Sequence, residues 1–159
     1  MIVLFIAPCE SQNNKEIDSV QSEFKLFMSS QTFEKYKVEI YKGELLDPDF
    51  STNKKAKRFI TQIKNECEKG INFAGKYTLV LWGCGSSCQY SMVIDRLTGK
   101  IYDGIMTSFG LEFKKDSTLI ITNIGAIDPE TNMIETCSYC NVTHELWIGN
   151  KFKRLNKTQ

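Results

Sequence analysis

The chain has 159 residues, 42% of them hydrophobic and 25% charged, a length that supports one domain with its own core and excludes a multidomain enzyme. With 20 Lys and Arg against 19 Asp and Glu, the formal charge of +1 gives no electrostatic case for wholesale nucleic-acid binding, and the apolar content excludes disorder. Six cysteines are the one departure from average composition, and they speak to compartment before they speak to activity.

The first eight residues are apolar, and after Cys9 the chain turns polar at once. So short a run cannot cross about 30 Å of hydrocarbon. A small-residue cleavage site followed by cysteine resembles the end of a bacterial lipoprotein signal, in which the thiol takes the lipid. Residues 1–8 then read as a truncated export signal, Cys9 as the lipidation candidate and 9–15 as a polar tether. Two features depart from that pattern: the basic segment expected of a secretory signal is missing, and Pro8 stands where a small residue is usual. A start upstream of Met1 would account for the first. Plain export is a second reading, and a cytosolic β-strand with Ile2, Leu4 and Ile6 on one face is a third. No later apolar run is long enough to span a membrane.

Ile17, Val20, Phe24 and Phe27 recur at helical spacing and predict a short amphipathic helix over 16–28. Tyr36, Val38 and Ile40 alternate with Lys37 and Glu39, the period of a half-buried strand, until Asp47-Pro48-Asp49 breaks it. Ser51 offers an N-cap to a second helix, carried by Ala56, Phe59, Ile60, Ile63 and Cys67 and stopped at Lys69-Gly70. Its other face holds Lys54, Lys55, Lys57, Arg58 and Lys64, so the near-neutral total hides a net +6 over residues 51–100 between acidic flanks. Such a basic stripe reads as a solvated face.

From residue 73 the chain reads as β. Runs at 77–82 and 90–95 flank a Gly/Cys/Ser segment, Asp95 to Gly99 make a turn, and 100–105 return as the partner. Another apolar run covers 117–124, a long loop covers 125–141, and 144–148 and 151–155 flank the hairpin signal Gly149-Asn150. Strands joined by tight turns must be largely antiparallel, since parallel pairs need long crossovers. The predicted fold is therefore α+β with two layers, a mainly antiparallel β-meander covered by two amphipathic helices, in a single domain over 16–157.

Four cysteines fall in loops: Cys84 and Cys88 between two strands, Cys137 and Cys140 in the long loop. In an oxidising compartment they form two disulfides, of three conceivable connectivities; in the cytosol four thiolates suit a structural zinc; a redox Cys-x-x-Cys is the third reading. The redox reading lacks the helix N-terminus that lowers a reactive thiol's pKa. Cys67 lies on the apolar stripe of the second helix and reads as a buried free thiol. His144 is the only histidine, so a thiol-dependent enzyme would have to couple it to Cys137 or Cys140. A lone histidine at the start of a strand is otherwise structural. No nucleophile elbow, zinc-protease helix or phosphate-binding glycine loop is present, and turn and cap chemistry accounts for Asp47, Asp49, Asp95 and Asp103.

Asn72-Phe-Ala-Gly-Lys-Tyr77, Trp82-Gly-Cys-Gly-Ser-Ser-Cys88 and Asp95-Arg-Leu-Thr-Gly-Lys-Ile-Tyr102 resemble segments of a group of uncharacterised exported bacterial proteins, which share F-A-G-x-Y, W-G-C-G-x-x-C and D-x-x-T-G motifs. The resemblance implies an envelope location and a bonded pair at Cys84 and Cys88; it carries no activity, and Cys137 and Cys140 lie outside it. Gly83 and Gly85 permit close backbone approach, and Tyr77 and Trp82 supply large apolar area, so these four form a candidate recognition surface. Taken together, the sequence reads as a small cell-envelope binding or structural domain without catalytic machinery or cofactor. Its partners would be a protein or small-molecule ligand and, through a lipid on Cys9, the membrane. The alternatives are a thiol-dependent enzyme using Cys137, Cys140 and His144, or a cytosolic zinc-stabilised interaction module.

Overall fold

The computed structural model describes residues 24–26, 31–135 and 137–155. The expected export segment at 1–8, Cys9 and the tether at 9–15 lie outside the described residues.

Local polar side chains decide where the helix begins. The Ser51 N–H donates to Asp49 Oδ1 at 2.9 Å and the Lys55 N–H to Asn53 Oδ1 at 3.0 Å, so Ser51 closes a turn instead of capping a helix. A 3-10 turn over Lys55–Arg58 follows, then Phe59 at φ −128°, and the α-helix proper, α1, covers Ile60–Glu68. Gly70 at φ 92° ends it, as the sequence predicts. Ala56, Ile63 and Cys67 face inward, while the lysines and Arg58 are exposed, confirming the solvated basic face.

Among the described residues the first predicted helix is not found. Phe24–Leu26 form a strand, β1, paired antiparallel with Met133–Glu135 from the long loop; the rest of 16–28 lies outside the described residues. Phe24-Lys25-Leu26 also alternates apolar and polar, so this segment satisfies strand and helix periods equally, and a partner strand that the sequence does not announce settles the matter. Among the described residues α1 is therefore the one α-helix, not one of two.

The strand expected from Tyr36 to Ile40 also fails to form. Phe33–Tyr36 make a 3-10 turn, and the extended chain beyond is held by isolated bonds, Val38 N–H to Asp116 O and Tyr41 N–H to Gly75 O, both 2.8 Å. Gly75 sits at φ 77°, and a Cβ there would lie 2.3 Å from Glu39 O, so only glycine lets this segment pass so close.

The remaining strands are β2 (Tyr77–Gly85), β3 (Cys88–Asp95), β4 (Ile101–Thr107), β5 (Leu111–Phe113), β6 (Leu119–Thr122), β7 (Met133–Glu135), β8 (Thr143–Trp147) and β9 (Phe152–Arg154). All named pairs are antiparallel, as expected from their short connections. They do not make one sheet. β2, β3 and β4 form a three-stranded meander, β5-β6-β8-β9 a four-stranded sheet, and β1-β7 a two-stranded ribbon.

The two-layer expectation is likewise corrected, because the meander is covered on both faces. Val80, Met92, Ile94 and Ile101 pack under α1 with Ala56, Ile63 and Cys67. Leu79 and Val93 face the other way, onto Phe73, Ile120 and Trp147 at the four-stranded sheet. The order of layers is helix, central sheet, second sheet. Leu79-Val80-Leu81 and Met92-Val93-Ile94 are continuous apolar runs, the pattern of strands buried on both faces.

β4 is kinked where its register against β3 shifts between Tyr90 and Met92. Buried Ser91 holds the bulge: its Oγ donates to Ile105 O at 2.9 Å and accepts from the Ile105 N–H at 2.8 Å.

Candidate functional site

The four loop cysteines are spent in two local disulfides, Cys84 with Cys88 and Cys137 with Cys140, each with Cα atoms 5.1 Å apart. The first ties β2 to β3 at the tip of their hairpin, where Gly85 and Ser87 take positive φ; the second closes a turn in the long loop. These thiols are thus unavailable as zinc ligands or nucleophiles in this state. Cys67 is the free, buried thiol the sequence predicts, and desolvation pushes its pKa up.

The two disulfide loops flank one cleft of about 360 Å³. Ser87 and Cys88 line it from the hairpin tip, Ser138 and Tyr139 from the second loop. Between them, Asn123 organises the wall from a left-handed backbone at φ 55°. Its Oδ1 accepts from the N–H groups of Ser108 (2.8 Å) and Phe109 (3.1 Å) and meets the Thr107 hydroxyl, while its Nδ2 donates to Asn141 O at 2.8 Å. One side chain so fixes both the β4–β5 turn and the segment entering β8. Tyr139, 54% exposed, lies stacked on Phe109 with ring centroids 5.9 Å apart and planes 14° from parallel.

The floor is a chain of polar groups on the inner face of the four-stranded sheet. Thr143 Oγ1 donates to Glu145 Oε1 at 2.9 Å, so it accepts from Thr122 Oγ1 at 2.8 Å. Arg154 Nε donates to the same Glu145 oxygen at 2.8 Å. That leaves the outer nitrogens of Arg154 without a partner among the described residues, on a side chain that lines the cleft. The side chains of Ser108, Ser138, Tyr139 and Asn141 likewise hold no hydrogen bond among the described residues.

His144 stands elsewhere. Glu145 shares the inner face of β8 with Thr143, so His144 between them projects to the opposite face of the sheet, paired in register with Ile121. Burial holds its pKa below the ordinary histidine value, with Glu145 pulling weakly the other way. The sequence-predicted couple of Cys137, Cys140 and His144 therefore has bonded sulfurs and an imidazole turned from the cleft.

Nor does the predicted recognition surface come together. Tyr77 faces the second sheet, edge-on to Trp147 with centroids 5.5 Å apart, whereas Trp82 faces α1 and packs on Phe59 at 4.3 Å. Five residues apart on one strand, they lie on opposite faces. Gly83 and Gly85 are exposed at the hairpin tip beside the first disulfide. Asn123, Tyr139 and Arg154 escaped the sequence reading; only Tyr139, between two cysteines, sat in a segment already singled out.

Of the acidic residues assigned to turns, Asp49 and Asp95 behave so, accepting from Ser51 N–H and Leu97 N–H at 2.9 Å each. Asp103 does not. From within β4 it meets Lys55 Nζ at 2.8 Å, Asn53 Nδ2 at 3.1 Å and Tyr90 Oη at 3.1 Å, and these hydrogen bonds, Lys55 first, hold its carboxyl below the ordinary value.

Fold and site define a small, disulfide-stabilised α+β domain. Among the described residues no group of three or more His, Cys, Asp or Glu side chains is placed to hold a metal ion, and no helix is long and apolar enough to cross a membrane. The disulfides are consistent with an extracytoplasmic setting. Set against models of known protein families, curated proteins and solved structures, the chain matches none of them.

Proposed function

We propose that this is a cell-envelope binding domain, tethered through a lipid on Cys9, that takes its ligand in the cleft between the two disulfide loops. The observation that carries the reading is their placement. Each disulfide closes an interval of three or four residues and constrains little of the unfolded chain, yet both pin the walls of the same cleft. Holding loops rigid before a ligand arrives lowers the ordering cost of binding. The resemblance of the Phe73 to Tyr77, Trp82 to Cys88 and Asp95 to Gly99 motifs to exported bacterial proteins supports the envelope location, and the bonded sulfurs favour binding over thiol catalysis.

Two measurements test it. Intact mass of protein extracted from membranes should show a diacylglycerol-modified Cys9, and unmodified protein in the soluble fraction overturns the tether. Amide spectra recorded with a library of small polar fragments should shift at Ser108, Asn123, Tyr139 and Asn141. Shifts confined to other parts of the molecule overturn the cleft.

A further inference from the structure

The cleft also specifies a chemistry, and we infer that its ligand is a saccharide carrying a carboxylate. This rests on the cleft being the binding site and adds the class of ligand. Three observations converge on it.

First, apart from Arg154, the polar side chains at the cleft that hold no hydrogen bond among the described residues include neutral hydroxyls and an amide: Ser87, Ser108, Ser138, Asn141 and the phenol of Tyr139. Such groups can each donate and accept, which matches the paired donor and acceptor character of sugar hydroxyls and suits a fully ionic ligand poorly. Second, Tyr139 offers a flat aromatic face at the rim: Phe109 stacks beneath it and the Cys137–Cys140 bond closes the turn that carries it. The C–H face of a pyranose ring packs on such a platform, while the ring's equatorial hydroxyls reach sideways to the walls.

Third, Arg154 is the one cation among the described residues that line the cleft, and its side chain is 68% exposed. Arg154 is fixed by its Nε on Glu145, itself only 4% exposed and braced by Thr143. With Nε occupied, the free edge of the guanidinium presents two parallel N–H donors, the geometry that grips a carboxylate with two hydrogen bonds. The adjoining groove, lined by Asp103, Gly104, Ile105 and Asn150, shares Ile105 and Arg154 with the cleft, so an extended sugar chain has a path past Arg154 along the open edge of β4.

The test is amide-resolved titration of the oxidised protein with glucuronate, galacturonate and N-acetylmuramate, each matched with its neutral counterpart, and with acetate and the polar fragment library as controls. At least one acidic sugar should shift Ser108, Tyr139, Asn141 and Thr143, with its neutral counterpart binding about tenfold more weakly, since one charged hydrogen-bonded pair is worth about 1.4 kcal/mol or more. R154Q should abolish that preference while retaining neutral binding; Y139A should weaken both. If neutral sugars bind as well as acidic ones, or acetate alone reproduces the shifts, or fragments shift the cleft while no acidic sugar does, the ligand class is wrong and the cleft stands. If no probe shifts the cleft, both the class and the site fall.

Discussion

The guanidinium of Arg96 donates to the backbone carbonyl of Cys67 at 2.5 Å, joining the turn after β3 to the last turn of α1. It also reaches Leu46 O at 3.0 Å and Thr78 Oγ1 at 3.2 Å, and the residue is only 4% exposed. The buried cation is held here by two carbonyls and a hydroxyl, one of the carbonyls at the negative end of a helix. Hydrogen bonds to a charged group are worth about 1.5–3 kcal/mol each, so R96M, which removes three of them, should lower the unfolding free energy by about 3 kcal/mol or more. Urea denaturation measures this, and a loss under 1 kcal/mol would show the network to be incidental.

The disulfides should matter more to the cleft than to the fold. Cross-linking residues three or four apart restricts the unfolded chain by about 2 kcal/mol, against nearly 5 for a hundred-residue loop. Replacing Cys137 and Cys140 together by serine should cost about that much in urea while far-ultraviolet circular dichroism stays unchanged. Amide exchange should then speed up around Tyr139 and leave β2 and β3 protected. Global unfolding of the double variant would make this bond a determinant of the fold.

Much of this was legible beforehand, and what was not has identifiable causes. The helix stripe of Ile63 and Cys67, the turn from Asp95 to Gly99 and the β4 return are local features, and local signals place them. Layering depends on which residues find each other. Leu79-Val80-Leu81 announces burial on both faces, but nothing in the run says that one face meets Trp147 nearly seventy positions away. Phe24-Lys25-Leu26 fits two periods, and its partner β7 is hidden in a loop. The cleft was half visible: the cysteines pointed to pinned loops, whereas Arg154 looks like any charged residue on a closing strand until Glu145 is placed beside it.

Gly104 marks a contact that no other residue can make. A Cβ at this position would stand 2.2 Å from Ser91 Oγ and 2.4 Å from Ser91 O. G104A should destabilise by about 1–3 kcal/mol through overpacking. Because a backbone oxygen is also in the way, removing the hydroxyl with S91A should not rescue it. Rescue in the double variant, followed by thermal melting, would place the strain in the side chain alone.

Cys67 should be chemically silent in the folded protein. It is buried under the central sheet, with its pKa raised by desolvation. In a C9S variant without reductant, Ellman's reagent should find no thiol in buffer and one in denaturant. A fast-reacting thiol in the native protein would mean that α1 opens readily from the sheet.

Stability should fall as pH drops through the histidine range, and His144 is the reason. Burial favours its neutral form, so its folded pKa lies below the unfolded value near 6.5. Between those two values the unfolded chain binds more protons than the folded one, which makes the unfolding free energy increase with pH there. The contribution is therefore complete above about pH 7 and is lost as pH falls past 6.5 toward the folded pKa. Asp103, held low by Lys55, acts in the same direction but only nearer its own unfolded value of 3.8, so the two windows separate. Urea midpoints measured from pH 7.5 to 5 should decline for the native sequence and stay nearly level over that interval in H144Q. An equal decline in both would assign the effect to the carboxylates instead.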